Sequence, residues 1–590
     1  MQDIKLKFYT WSEPVIRIVD WMFLLVAIVA VGSLVIQYGF YISIDTEKWL
    51  ERLNLIIVLF FVFQFLVKIL FTMDRLTYLR RHWFETALVT LIVVRAIILI
   101  YSLGLHLISE YFVNIEIGAI TNVTIVSAQI IIILSLISSS LRFNRKIASL
   151  KFHPAQTLLL SFLIVIFLGT LLLLLPKASA PGNYLKPLDA LFTATSATCV
   201  TGLIVVDTAT HFSLMGQLII LSLLQIGGLG IMTLSSFLAL FFGRGMGIKE
   251  RVLMQEMLNI DRLGMITRAL RMAVTLTFLF ESVGAVLLFF SWNRPDWSFW
   301  HRAYQSVFHS VSAFCNAGFS INSNSIMSYN NNYPVMMIIA TLIIIGGLGF
   351  IVLIEIGGLS ISVKQNRVHI HHWSVQTKLV LIISAILLIA GTVILLFVQN
   401  FQGSFTHRFM QAFFSSVTAR TAGFNTVDFG LFSVPAALTI IMLMFIGASP
   451  GSTGGGIKTT TVGILVASLA SIVSGKNRIE LFKRNISFTV LNRALVIFAF
   501  GILVVGTSVF LLSITEKAPL INIIFEEVSA YGTVGLSRGL TPHLTDWGRL
   551  VIIISMFIGR VGALTLAFAI TPPKEKLRVE YPQERSVMVG

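Results

Sequence analysis

Ala530-Tyr531-Gly532-Thr533-Val534-Gly535-Leu536 lies between two long apolar segments, where a loop can enter a membrane and return on the same side. Three other stretches repeat its pattern: Thr198-Cys199-Val200-Thr201-Gly202-Leu203, Phe314-Cys315-Asn316-Ala317-Gly318-Phe319 and Ala419-Arg420-Thr421-Ala422-Gly423-Phe424. Each aligned glycine precedes Leu or Phe, and the glycines stand about 116, 105 and 112 residues apart, an internal period that decides the architecture. A cation crossing a membrane must exchange its water shell for other oxygens, and rings of backbone carbonyls do this without a fixed charge that would trap it. Glycine permits the backbone such a ring needs, because it tolerates positive φ and close approach. The Ser-, Thr- and Ala-rich runs before the glycines, 191–197, 307–313, 413–419 and 525–530, read as short pore helices. Their C-terminal ends carry the negative end of the helix dipole toward a cation.

The rest of the chain fits a membrane. It has 590 residues, 56% apolar and 12% charged, with a mean hydropathy of +0.88, more apolar surface than a soluble fold of this length would hide. Four apolar segments come first, near 15–40, 53–73, 83–105 and 117–140. Four units follow, each a helix, a loop and a second helix. The first helices lie near 155–176, 266–292, 376–400 and 488–514, the second near 213–242, 334–362, 435–475 and 546–571. The fold class expected is an all-α polytopic membrane protein with twelve spanning helices and four re-entrant loops around one central pore. Its regions are 1–150, pore repeats 151–265, 266–375, 376–487 and 488–573, and a tail 574–590. The first apolar segment lacks a small-residue cleavage site and reads as a retained helix.

The net charge of +16 has its explanation in topology. With the N-terminus inside, the inside segments hold roughly two thirds of the 43 Lys and Arg, as the positive-inside rule requires. Both termini are then cytoplasmic, all four glycine loops face out, and no nucleic acid is needed to explain the charge. Two cysteines provide neither a disulfide framework nor a metal set. Cys199 and Cys315, each three residues before a ring glycine, read as buried thiols behind it. An enzyme would need ionisable groups converging at membrane depth, and the chain offers few. A sensor is disfavoured by the lack of a sizeable soluble domain.

The second helices share an Ile-Gly step: Ile226-Gly227, Ile345-Gly346, Ile446-Gly447 and Ile558-Gly559. Small residues there permit close helix packing. The third unit departs from the others at Gly447–Thr459, where small, polar and helix-breaking residues interrupt the apolar run. Such backbone must line a wet cavity or be buried in protein. Gly451, Ser452, Thr453, Gly454, Gly455 and Gly456, with Lys458, read as a flexible gate beneath the filter, the alternative being a packing kink. Gly451 and Gly456 have P-loop spacing, but Ile457 occupies the lysine position and no strand precedes, so a nucleotide site is rejected. Arg560, deep in the last apolar run, reads as a positive barrier facing the pore or as a structural partner of a carboxylate or of pore-loop carbonyls. Arg420 reads as a brace behind the third filter segment or an outer-mouth charge. Glu526 and Glu527 are read as opening the fourth pore helix, where one could attract cations or bond the filter backbone and both would stabilise the helix start. His369, His371 and His372 read as a solvated loop, the alternative being a metal site.

Together these motifs resemble the Trk/Ktr/HKT superfamily of potassium transporters over about residues 155–571. The resemblance rests on the four units, the Gly-Thr-Val-Gly-Leu of the last, Pro450-Gly-Ser-Thr-Gly-Gly-Gly-Ile-Lys-Thr-Thr460 and Arg560. It implies potassium uptake through a homodimer with one pore per subunit. Potassium would bind at Thr198, Cys199, Val200, Thr201, Gly202, Cys315, Asn316, Ala317, Gly318, Arg420, Thr421, Ala422, Gly423, Gly532, Thr533, Val534 and Gly535. The glycine-rich loop and Arg560 would gate the pore, a cytoplasmic nucleotide-binding subunit of the RCK type would regulate it, and no organic cofactor is expected. In plant relatives a serine at the first filter glycine goes with sodium preference; Gly202 here favours potassium, the alternative being a sodium-selective or non-selective channel. The run Phe61–Asp74 with Trp83-Phe84-Glu85 resembles part of a voltage-sensor bundle, Lys68 and Glu85 being the matching charges. No Lys or Arg lies between Arg95 and Arg142, so little voltage sensing is expected.

Overall fold

The computed structural model describes residues 2–72, 75–81, 154–230, 266–357, 373–476, 478–562 and 565–566, with scattered positions between 86 and 97. Two helices, α1 (Gln2–Gly39) and α2 (Ile44–Leu70), and the short α3 (Arg75–Arg81) come first. The first unit is α4 (Pro154–Leu173), α5 (Pro187–Thr198) and α6 (Leu214–Leu229). The second is α7 (Ile266–Ser291), α8 (Phe299–Phe314), α9 (Tyr333–Leu348) and α10 (Phe350–Ile356). The third is α11 (Val375–Val398), α12 (Phe405–Thr418), α13 (Val434–Phe445) and α14 (Thr459–Val473). A hairpin of β1 (Ile479–Leu481) and β2 (Arg484–Ile486) leads to α15 (Phe488–Thr515), α16 (Leu520–Gly532) and α17 (Asp546–Val561). The all-α expectation did not include that hairpin.

Helix starts are written in the sequence. Ser298, Ser374, Ser404, Ser433 and Thr545 each accept a bond from a backbone N–H of the first turn, satisfying a donor the helix leaves orphaned. Pro187, Pro334 and Pro435 stand in the first helical turn, where their missing N–H costs nothing. Among the described residues five helices are long and apolar enough to cross a membrane, or six if the bent pair α9–α10 is one span.

The short helices are longer than the sequence runs suggested. α16 begins at Leu520, so Glu526 and Glu527 lie in its second half and do not open it. Within the described residues the second helices also end or bend early. α6 ends at Gly230, with φ +79°; α9 and α10 meet at 101° across Gly349, with φ +93°; α17 ends at Gly562, with φ +88°. The third stops at Ile446 and resumes at Thr459. The glycine three residues after each Ile-Gly step adopts a left-handed backbone that a helix cannot continue; the third unit has Pro450 there.

In every unit the long first helix packs on the short helix and on the second helix. Each second helix also packs on the next short helix: α6 on α8, α9 on α12, α13 on α16 and α17 on α5. The last of these contacts closes the chain into a ring and is pinned by a 2.7 Å ion pair between Arg549 and Asp189, both largely buried. The apolar cores run between neighbouring units: Phe319 packs with the first unit's Ala197 and Val200, and Leu203 with the fourth unit's Ala530 and Met556. α1 docks outside this ring. Ser33 donates to Asn54, whose amide donates to Gln37, and Lys177 of the first unit donates to the Gln37 carbonyl at 3.1 Å.

Candidate functional site

The four repeated stretches share one backbone. Two residues before each glycine the chain is left-handed: Val200 (φ 58°), Asn316 (58°), Thr421 (70°) and Thr533 (49°). The glycines follow at φ 90°, 68°, 75° and 92°. Left-handed backbone is uncommon outside glycine and is costly for β-branched Val and Thr, so the surroundings must hold it there.

Hydroxyl groups do the holding. Ser196 donates to the Leu203 carbonyl at 2.7 Å, Ser312 to Phe319 at 2.7 Å and Thr418 to Phe424 at 2.8 Å. The Gly202 and Gly535 N–H groups donate to Ser196 and Ser529, each at 3.1 Å. These four residues escaped the sequence reading. The signal was present: a Ser or Thr stands five or six residues before every ring glycine. Leu203, Phe319, Phe424 and Leu536 are buried and anchor the outgoing strand.

The glycines face one another in order. A β-carbon on Gly318 would stand 2.7 Å from the Ala422 carbonyl oxygen, and one on Gly423 would stand 2.6 Å from that of Val534. One on Gly202 would strike the Ala317 carbonyl, and one on Gly535 that of Thr201. The carbonyl just before each glycine therefore borders the preceding glycine of the ring, and Thr201, Ala317, Ala422 and Val534 together present four oxygens. The hydroxyls of Thr198 and Thr201 are buried beside them without a protein partner.

The glycine-rich segment lies against the C-terminal ends of the short helices that lead into this ring. Ile446 and Ile457 bridge its two ends. Thr453 donates through its hydroxyl to the Phe314 carbonyl at 3.2 Å and through its N–H to Gly346 at 3.3 Å. Gly455 N–H donates to the Thr533 hydroxyl at 3.0 Å. Lys458 folds back to donate to the Gly454 carbonyl at 2.7 Å, and Phe350 N–H donates to Gly451 at 3.0 Å. Arg560 reaches from α17 and donates to the carbonyls of Thr453 and Gly227. Both partners are backbone carbonyls, one in the glycine-rich segment and one in α6, and neither is a carboxylate or a carbonyl of the four glycine stretches.

The other sequence candidates fall at varied distances from the ring. Cys199 and Cys315 are free and fully buried. Cys315 Sγ turns into the wall, 3.7 Å from Glu281 and 3.8 Å from Gln225. Glu281, buried on α7 and bonded to Gln225 at 3.2 Å, was not singled out, because one carboxylate in an apolar helix forms no motif. Arg420 donates to Ser384 at 3.2 Å and lines a small cavity with Leu388 and Ala448. Its side chain packs against α11 and the end of its own short helix. Glu526 accepts from Ser537, Thr541 and the N–H groups of Arg538 and Leu540, clamping the loop after the last glycine. Glu527 accepts from Ser555 at 2.7 Å. Glu85 and His369, His371 and His372 lie outside the described residues.

A carbonyl ring at the centre of a bundle of membrane-length helices is the build of a multi-pass membrane transporter for ions, not of an enzyme. The chain belongs to the TrkH cation transport protein family, whose model matches residues 124–579. It is 40% identical over 441 residues to the Ktr system potassium uptake protein B of Vibrio alginolyticus, covering 74% of this chain and 94% of that protein. The protein of the same name from Bacillus subtilis is 38% identical, covering 75% and 98%. The potassium/sodium uptake protein NtpJ of Enterococcus hirae is 37% identical, covering 75% and 98%. The crystal structure of the potassium transporter TrkH from Vibrio parahaemolyticus matches with a TM-score of 0.56 at 20% identity, covering 75% of this chain and 97% of that one; that likeness concerns the fold. α1, α2 and α3 precede the residues the family model matches.

Proposed function

We propose that this chain takes up potassium across the cytoplasmic membrane, through the ring of Gly202, Gly318, Gly423 and Gly535, with both termini inside. The observation that carries the reading is the cyclic order of the ring, in which each unit lends the carbonyl before its glycine to its neighbour. Four neutral oxygens converging on one axis can replace water around a cation and still release it. Pore repeats 151–265, 266–375, 376–487 and 488–573 each supply one quarter of this filter, and α1, from the N-terminal membrane region 1–150, packs outside it. The loop Gly451–Gly456 is the gate. In the conformation described it lies across the inner side of the filter, and Arg560 fastens it to Gly227. A guanidinium there also sets a positive charge in the path of a cation, so conduction requires Arg560 and the loop to move together. Two relatives are named as component B of a Ktr system, wording that supports a further subunit; in this reading the chain works as a homodimer and that subunit is a nucleotide-binding cytoplasmic regulator of the RCK type.

The name of the Enterococcus hirae relative joins potassium with sodium, which makes a sodium or mixed pathway the second reading. Flux of each ion into proteoliposomes, for wild type and Gly202→Ser, separates the two. Potassium preference that relaxes toward sodium in the variant is expected, because any β-carbon at Gly202 meets the Ala317 carbonyl. Sodium preference in the wild type would establish the second reading. Absence of cation flux from folded protein, with and without the nucleotide-binding subunit, would overturn both.

A further inference from the structure

The contacts between the glycine-rich loop and the four-glycine ring go beyond simple occlusion. Consecutive loop residues touch the inner ends of three different units. Thr453 bonds the last carbonyl of α8, Gly454 abuts the Thr421 side chain, Gly455 donates to Thr533, and Gly456 lies against Gly532. Thr421 is in turn hydrogen-bonded to the Asn316 amide at 3.2 Å. Thr421 and Thr533 are β-branched residues held at positive φ, so their backbone depends on what is packed against them. The loop has no β-carbon at the two positions that meet them. One on Gly455 would stand 2.8 Å from the Thr533 γ-carbon, and one on Gly454 would stand 3.0 Å from the Thr421 β-carbon. The loop cannot withdraw without breaking the Gly455–Thr533 bond and unpacking Thr421.

Resting on the gate reading above, we infer that Thr533 and Gly455 form a latch between gate and filter, so that ion selectivity is set partly by where the loop stands. Thr533 is a positioning residue in this scheme. Its hydroxyl accepts the loop N–H, and its left-handed backbone fixes the direction of the Val534 carbonyl, one of the four ring oxygens. Gate opening removes that acceptor's partner and relaxes the fourth quarter of the ring. Opening and a change in potassium-over-sodium preference are then one transition.

The test is potassium and sodium flux in proteoliposomes of the full chain, with monodispersity in detergent as the folding control. Thr533→Val keeps the shape and removes the acceptor. It should raise basal potassium flux about fivefold, the shift one net hydrogen bond is worth, and lower the potassium-to-sodium ratio. Thr533→Ser keeps the oxygen and should recover most of that ratio. Gly455→Ala attacks the latch from the gate side, without altering the filter sequence. It should reproduce both effects, and a changed ratio from a residue outside the filter is the outcome a separate gate would not give. Raised flux with an unchanged ratio in Gly455→Ala would overturn the latch and leave the gate standing. Unchanged flux in Gly455→Ala and in a chain shortened within Gly451–Gly456 would overturn the gate itself.

Discussion

The second helices of the second and fourth units differ from that of the third in what fills one site. In α9 and α17 the glycine of the Ile-Gly step lies against the carbonyl of Phe314 or Tyr531, at the end of its own short helix; Gly227 of α6 does the same with Thr198. In the third unit Gly447 meets the backbone of Gly455 instead, because the chain has turned back on itself between Ile446 and Ile457. Three units close helix against helix, with no room for a methyl group. The remaining position is equally tight, but it is filled by a loop of the same unit, held to other units by a few hydrogen bonds. Close packing of backbones resists deformation, whereas a few exchangeable bonds are each worth about 1 kcal/mol. Rigidity in three quarters and exchangeability in one is what the proposed gate requires: three helix contacts hold while one wall, and the ring carbonyl latched to it, moves.

The largest effect expected from this contrast is at the helix contacts. Gly559→Val drives a branched side chain into the Tyr531 carbonyl, and Gly346→Val does the same at Phe314. Both should abolish monodisperse protein in detergent, since a tightly packed site has nowhere to place the added atoms. Folded and active Gly559→Val would break the comparison. Next comes the loop itself. Removing two residues within Gly451–Gly456 should leave the ring assembled and raise basal flux tenfold or more, on the order of the several loop bonds lost; unchanged flux would make the segment a packing kink. Arg560→Ala removes two charge-assisted bonds and a positive charge, and should raise flux by about tenfold. Arg560→Lys keeps the charge without the fork and should fall between, so a Lys variant as leaky as Ala would show that the bonds, and not the charge, restrain the ion.

Much of this architecture could be read from residues. The spacing of Gly202, Gly318, Gly423 and Gly535 gave the ring, and the run from Gly447 to Thr459 gave the break, because helix-breaking residues inside an apolar segment conflict with the pattern around them. The interruptions at Gly230, Gly349 and Gly562 were hidden, since a single glycine inside an apolar helix is ambiguous. The order of units around the ring was also out of reach, depending on contacts such as Asp189 with Arg549 that join residues far apart in the chain. Glu526 and Glu527 misled for a local reason. Acidic residues favour helix starts, but here a loop and a neighbouring helix use them as acceptors.

The smallest expected effect concerns the hydroxyl braces, where the third unit again differs. Ser312 stands six residues before its glycine, whereas Thr418 stands five before, and in both the hydroxyl holds the carbonyl just after the glycine. Ser312→Ala and Thr418→Val each remove one buried bond of about 1 kcal/mol and leave an unpaired carbonyl. Both should lower the melting temperature by a few degrees and reduce potassium-over-sodium preference about two- to fivefold. Thr418 borders the stretch whose neighbour, Thr421, packs against Gly454 of the loop, so Thr418→Val should also raise basal flux, and Ser312→Ala should do so less. Equal leakage in the two variants would mean that the moving wall acts on the whole ring at once and not through its own quarter.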